Sequence, residues 1–264
     1  NLESLRAIGN IIIEPATGEL ASGLSGKGRM EEPENIVEKL ISFFNNKLQL
    51  TGRKFLVTAG PTREKIDAVR FISNYSSGKM GYAIAEELAS RGAKVVLVSG
   101  PVNIKPVNGN IQRILVESAD EMYNQCISVF SECDGAIMNA AVADYTPETP
   151  ESKKVKKERN DWELKLVSTK DIALELGKVK TSAQVLVGFA LETDNELANA
   201  AKKLEQKNLD FIVLNSLNDT GAGFQTDTNK ITILGKDNIP LFFELKNKAE
   251  VASDIVDKIV SILK

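Results

Sequence analysis

The sequence predicts an α/β protein in three layers, a mostly parallel sheet with helices on both faces and a small antiparallel element near the C-terminus. Three observations predict it. From Lys54 onward, apolar β-runs alternate with stretches of helical spacing. Two late runs, 230–234 and 241–244, read as an antiparallel pair. The chain has 264 residues, 42% of them hydrophobic, and a chain of that size buries enough surface to fold without staples.

In order, residues 10–16 read as a strand ending at Pro15, 18–29 as a Gly- and Ser-rich stretch, and 34–47 as an amphipathic helix. Residues 49–53 read as a short linker. The alternation then begins. A strand at 55–59 precedes a helix at 78–91, which turns Met80, Ala83, Ile84 and Leu88 to the core. Strands at 94–99, 111–116, 136–141, 185–191 and 211–215 alternate with helices at 119–131, 169–176 and 195–207. Residues 249–263 read as a closing helix. No internal repeat or low-complexity tract is visible.

Composition narrows the chemistry. Lys and Arg number 33 against 36 acidic residues, a net charge of −3, which speaks against general nucleic-acid binding. No window approaches the ~20 apolar residues of a membrane span, and no basic-then-apolar leader opens the chain; a reducing cytoplasm is the expected compartment. The chain has no histidine, which excludes Ser-His-Asp and Cys-His nucleophiles, His-ligated zinc and an imidazole base. Cys126 and Cys133 form no disulfide framework and read as packing residues on one helix. Chemistry is left to Lys, Arg, Asp, Glu, Asn, backbone amides and a borrowed Mg²⁺.

In open parallel sheets, ligands bind beyond the carboxyl ends of the strands. Thr58-Ala59-Gly60-Pro61-Thr62-Arg63-Glu64 leaves the first strand and runs on to Ser76-Ser77-Gly78-Lys79-Met80-Gly81. This is neither a dinucleotide fingerprint, since Pro61 blocks the turn, nor a Walker A loop, since Met80 follows Lys79. A helix starting near Gly78 offers its amides to an anion, or is simply a capped helix. Tyr75 and Lys79 form the Y-x-x-x-K pair of short-chain dehydrogenases, without the Gly-rich turn those enzymes need. Met138-Asn139-Ala140-Ala141-Val142-Ala143-Asp144 leaves a central strand, its small residues admitting a flat ligand and Asp144 facing a ribose hydroxyl, or it is a tightly packed turn. The basic run Lys153-Lys154-Val155-Lys156-Lys157 follows, either solvated or folded over phosphates. Ser168 and Asp171 have capping-box spacing. Lys203 and Lys207 share a helix face.

Taken in order, these segments resemble phosphopantothenate–cysteine ligase, the C-terminal half of the bacterial bifunctional coenzyme A biosynthesis protein. Val57 to Glu64, Asp67, Val69-Arg70-Phe71-Ile72-Ser73-Asn74 and Ser76 to Gly81 carry the likeness. So do Ala140 to Tyr145, the K-x-K-K segment from Lys154, Lys207-Asn208-Leu209-Asp210, and Gly223-Phe224 with Asp227 and Asn229. The likeness covers about 52–264. Gly18 to Gly23 and Gly26 to Met30 resemble the closing flap of the partner flavoprotein decarboxylase, with Ser22 where that family has cysteine. Residues 1–50 thus read as a decarboxylase remnant plus linker, with no flavin expected, and 51–264 as the ligase domain.

The resemblance implies a Rossmann-like domain with a small antiparallel dimerisation element, working as a homodimer, with no nucleic-acid or membrane partner. It implies CTP, Mg²⁺ on the phosphates, 4′-phosphopantothenate and L-cysteine, joined through an acyl-cytidylate. By motif, Met138, Asn139, Ala140 and Asp144 hold base and ribose. Lys154 contacts the reacting phosphates, and Lys170, Asp171, Ile172, Ala173, Phe189, Lys203 and Lys207 complete the nucleotide site. Asn74 binds the pantothenoyl carboxylate and guides acyl-cytidylate breakdown, supported by Arg70. No metal ligand is identified. A short-chain oxidoreductase using NAD(P) and a non-catalytic nucleotide-binding module remain the alternatives.

Overall fold

The computed structural model describes residues 2, 5, 12–19, 25–156, 162–192, 194–216 and 226–263. Ser22, Gly223, Phe224 and the end of the basic run from Lys157 lie outside them. The chain forms two compact units, Asn1–Gln49 and Leu50–Lys264.

In the first unit, β1 (Ala16–Glu19) and β2 (Ser25–Arg29) pair antiparallel. Of the strand expected at 10–16, residues 10 and 11 lie outside the described residues and 12–15 are in no strand; the described pairing begins after Pro15, which has no amide for a ladder. Within the Gly-rich stretch, Gly18 and Glu19 end β1 and Ser25–Arg29 form β2. Helix α1 (Pro33–Lys47) opens on proline, whose fixed φ suits a first turn.

The second unit is built on one eight-stranded sheet. Its elements are β3 (Lys54–Ala59), β4 (Arg63–Lys65), β5 (Phe71–Ser73), α2 (Lys79–Ser90), β6 (Lys94–Ser99), β7 (Ile111–Leu115), α3 (Ala119–Phe130) and β8 (Gly135–Met138). There follow β9 (Tyr145–Pro147), β10 (Leu166–Ser168), α4 (Ile172–Val179), β11 (Val185–Glu192), α5 (Glu196–Gln206) and β12 (Phe211–Ser216). The chain closes with β13 (Thr228–Asn229), β14 (Ile231–Gly235), β15 (Pro240–Phe242), β16 (Lys246–Asn247) and α6 (Lys248–Leu263).

The sheet order is β15-β14-β12-β11-β8-β3-β6-β7. All pairs from β7 across to β12 are parallel, and β14 and β15 continue the sheet antiparallel. The expected antiparallel pair is thus a sheet extension. Counted along the chain, the parallel strands take the doubly wound order 3-2-1-4-5-6, which reverses direction between β3 and β8. Alternation along the strands feeds two cores. Phe55, Val57 and Ala59 of β3 pack with Ile84 and Leu88 of α2 and Ile255 and Ile259 of α6. Leu56 faces the other way, with Met122 and Phe130 of α3, Leu176 of α4 and Leu204 of α5.

Two local expectations change. Cys126 lies on α3, but the helix ends at Phe130, so Cys133 follows it in the turn; both are free and buried. Burial lifts the Cys126 thiol to about 12 and Cys133 to about 11, as fits packing residues. The helix expected at 169–176 begins at Ile172, because Ser168 is spent in β10 and Asp171 is the cap, accepting from the Leu174 amide at 3.0 Å.

Candidate functional site

At the reversal between β3 and β8, a cavity of about 490 Å³ opens beyond the strand ends. Thr58, Met138, Phe189 and Asn215, from four adjacent parallel strands, face into it. One flank is the start of α2 with Asn229 and Lys248. The other is the start of α4 with Lys203 and Lys207 at the end of α5. Asn74, residues 138–142 and Asp144 complete the lining.

The backbone after β8 is held by side chains from neighbouring segments. The Ala140 amide donates to Thr58 Oγ1 (3.1 Å) and the Ala143 amide to Thr62 Oγ1 (3.0 Å). Thr169 Oγ1 donates to the Ala143 carbonyl (2.7 Å), and Asn74 Nδ2 to the Ala141 carbonyl (3.1 Å). Buried Thr62 explains why a polar residue follows Pro61. Two glycines permit close approach. A Cβ on Gly81 would lie 2.6 Å from that of Ala59 and 3.0 Å from Asn139 Oδ1, and one on Gly177 only 2.0 Å from the Lys207 carbonyl oxygen. The first lets α2 reach the strand ends, and the second lets α4 lie against the end of α5.

The charge is one-sided. Lys79, Lys170, Lys203, Lys207 and Lys248 line the cavity against Asp144 and Asp171. Lys79 pairs with Asp227 (2.6 Å), Lys170 with Asp120 (2.9 Å) and Lys207 with Asp171 (2.8 Å). Lys170 also lies over the Tyr123 ring at 4.5 Å. The Asp120 contact holds the Lys170 ammonium above its ordinary value. Lys248 runs the other way: burial, then the neighbouring Lys79, push it down. Lysines from both helical layers thus meet at one strand edge, an arrangement that holds a polyanion.

Of the residues singled out from the sequence, Asn74, Met138, Asn139, Ala140, Asp144, Lys170, Asp171, Ile172, Ala173, Phe189, Lys203 and Lys207 all line this cavity. Arg70 and Lys154 do not. Arg70 pairs with buried Asp67, donates to the Val155 carbonyl (2.8 Å) and stacks on Trp162 at 4.7 Å, while Lys154 is exposed beside Val155. Tyr75 is 83% exposed and outside the lining, so the Tyr75/Lys79 pair does not converge there. Lys248 and Asn215 escaped sequence reasoning. The available signal was that Lys79 and Lys248 each open a helix, where the macrodipole disfavours a cation.

Fold and site define a doubly wound α/β domain with a lysine-lined cavity at its strand ends. A family model described as "DNA/pantothenate metabolism flavoprotein C-terminal domain" matches residues 50–263, and the chain belongs to that family. It is 45% identical over 266 residues to the coenzyme A biosynthesis bifunctional protein CoaBC of Bacillus subtilis (strain 168), covering all of this chain and 65% of that protein. It is 55% identical over 267 residues to a cysteine/cysteine sulfinic acid decarboxylase of an unknown prokaryotic organism, covering 100% of this chain and 74% of that one. The chain thus spans about two thirds to three quarters of these relatives. A crystal structure of the C-terminal domain of a CoaBC protein matches with TM-score 0.70 and 42% identity, over 82% of this chain and 98% of that one. Among the described residues, no helix is long and apolar enough to cross a membrane.

Proposed function

We propose that residues 50–263 ligate 4′-phosphopantothenate to L-cysteine at the expense of CTP, in coenzyme A biosynthesis. The observation that carries this reading is the lysine-lined cavity at the sheet reversal, in a chain that belongs to the CoaBC C-terminal family. The substrate carboxylate attacks the α-phosphate of CTP and pyrophosphate leaves. The cysteine amine then attacks the acyl-cytidylate, and CMP leaves with the proton balance closed by solvent. Neither step needs a protein nucleophile; both need two anions brought together and their charge offset. Residues 138–144 present backbone to the base and ribose, and Lys170, Lys203 and Lys207 meet the phosphates. Asn74, at the edge of the same backbone, is placed for the acyl carboxylate.

Mg²⁺ fits this donor set as an ion carried by the phosphates, where it neutralises charge. Among the described residues no three carboxylates or thiols converge, and Asp171 is engaged by Leu174 and Lys207, which leaves Asp144 as the cavity carboxylate for such an ion. The protein acts as a cytoplasmic homodimer in this reading. The test is pyrophosphate release with CTP, with and without phosphopantothenate; release dependent on both supports the ligase. The decarboxylase name of the 55% relative favours a second reading, and CO₂ release from cysteine without any nucleotide would select it.

A further inference from the structure

Lys79 and Lys248 come from different elements but share one circumstance: each is the first residue of its helix, α2 and α6. A cation there faces the positive end of the macrodipole. Lys248 is only 8% exposed, so its charge is held out of water as well. Both line the cavity. Asp227 meets both: its Oδ1 accepts from Lys79 Nζ at 2.6 Å and its backbone carbonyl accepts the Lys248 backbone amide at 2.9 Å. The Asp227 side chain is 87% exposed, so it leaves without desolvation cost. Lys79 in turn holds its carboxyl below the ordinary range. The segment is fixed by Lys248 itself, whose Nζ donates to the Thr226 carbonyl, and by β13 pairing with β16.

We propose that Lys79, Lys248 and Asp227 form the phosphate-reading end of the cavity, in which Asp227 is a resident counter-ion that the substrate's phosphate replaces. This deepens the ligase reading and rests on it. A phosphate monoester carries about −1.5 to −2 charges at pH 7, so it balances two ammonium groups and two helix ends better than one carboxylate does. An alcohol in its place has no charge with which to displace Asp227. The cluster therefore separates phosphopantothenate from pantothenate.

The test measures kcat/KM for both acyl substrates, and calorimetric binding of 4′-phosphopantothenate without nucleotide. Asp227→Asn removes an exposed competitor, so phosphopantothenate binding tightens about two- to fivefold. Lys79→Met loses a charged contact and weakens it roughly tenfold or more. The readout is the ratio of kcat/KM for phosphopantothenate to that for pantothenate, which is expected to rise in Asp227→Asn and to fall about tenfold in Lys79→Met. Lys248→Arg retains the charge and binding, where Lys248→Met loses both. Variants that shift both substrates equally, in protein that still turns over, overturn this inference alone. A wild-type protein that releases no pyrophosphate overturns the ligase reading instead.

Discussion

The Val155 amide donates to the Asp67 carboxylate at 3.1 Å, joining points 88 residues apart in the chain. Asp67 also accepts from the Val69 and Arg70 amides, each at 2.8 Å, and from the Arg70 guanidinium. Arg70 returns a bond to the Val155 carbonyl. One buried carboxylate and one guanidinium thus fasten the β4–β5 turn to the basic run, leaving Lys154 and Lys156 exposed on either side of the fastened residue.

That clasp predicts an acid dependence. The Arg70 guanidinium, aided by the Val69, Arg70 and Val155 amides, holds the Asp67 carboxyl well below the usual carboxylate range. A depressed folded-state pKa contributes stability fully present above the unfolded value of about 3.9, and lost as pH falls through the folded one. The gap in denaturation midpoint between wild type and Asp67→Asn is expected to be constant from neutral pH to about pH 5 and to close in strong acid. A gap that widens in acid contradicts the assignment.

Asn74 gives a second prediction. Its Nδ2 donates to the Ala141 carbonyl and, at 3.4 Å, to that of Val142. Asn74→Asp replaces a donor with an anion facing two carbonyl oxygens, a loss of about 1–3 kcal/mol. The variant should accumulate acyl-cytidylate detectable by mass spectrometry, turn it over poorly with cysteine, and show a raised KM for CTP, because the same backbone lines the nucleotide side. Normal turnover would refute the role.

The base is a third. Thr58, Thr62 and Thr169 fix the backbone of residues 140–143, and fixed amides and carbonyls discriminate one base edge from another. CTP is expected to be used much faster than ATP. Equal kcat/KM for the two removes the CTP assignment and leaves the ligation itself standing.

What the sequence revealed follows the strength of its physical signals. The runs at 54–59 and 94–99 are apolar because both faces are buried, so their strands and the cavity beyond them were legible. The pairs β4–β5, β9–β10 and β13–β16 are two or three residues long, and such short pieces carry no period to read. Ser168 and Asp171 fit one capping-box spacing in sequence; it is β10, a long-range pair, that takes Ser168 and leaves the cap to Asp171. Lys248 lies just before the closing helix expected at 249–263, and its backbone and Nζ bonds go to the 226–227 segment, which no local window contains. The resemblance implies a supporting role for Arg70, but its bond to the Val155 carbonyl joins residues 85 apart, beyond any local window.

The clasp also decides how the basic run should behave. A cluster of exposed cations steers CTP by a field screened over about 8 Å at physiological salt, and such a field speeds arrival without favouring the transition state. A lysine placed on the reacting phosphates gains as charge develops, and losing a contact of that kind costs about 10²–10³ in rate. Lys154 precedes the fastened Val155 directly, whereas Lys153 is one residue further away. The structure leaves Lys154 exposed outside the cavity lining, and it is the ligase resemblance that sets it on the reacting phosphates; on that resemblance Lys154→Gln is expected to lower kcat steeply, and Lys153→Gln to raise the KM for CTP mildly with kcat nearly unchanged. Arg70→Lys, which loses the planar two-point grip on Asp67, should lower kcat in the wild-type background and add little once Lys154 is gone, since it acts through that lysine. If the Arg70 and Lys154 losses multiply, Arg70 has a separate role. If both lysine variants show the same small, salt-sensitive loss, the run only steers and Lys154 touches no reacting atom.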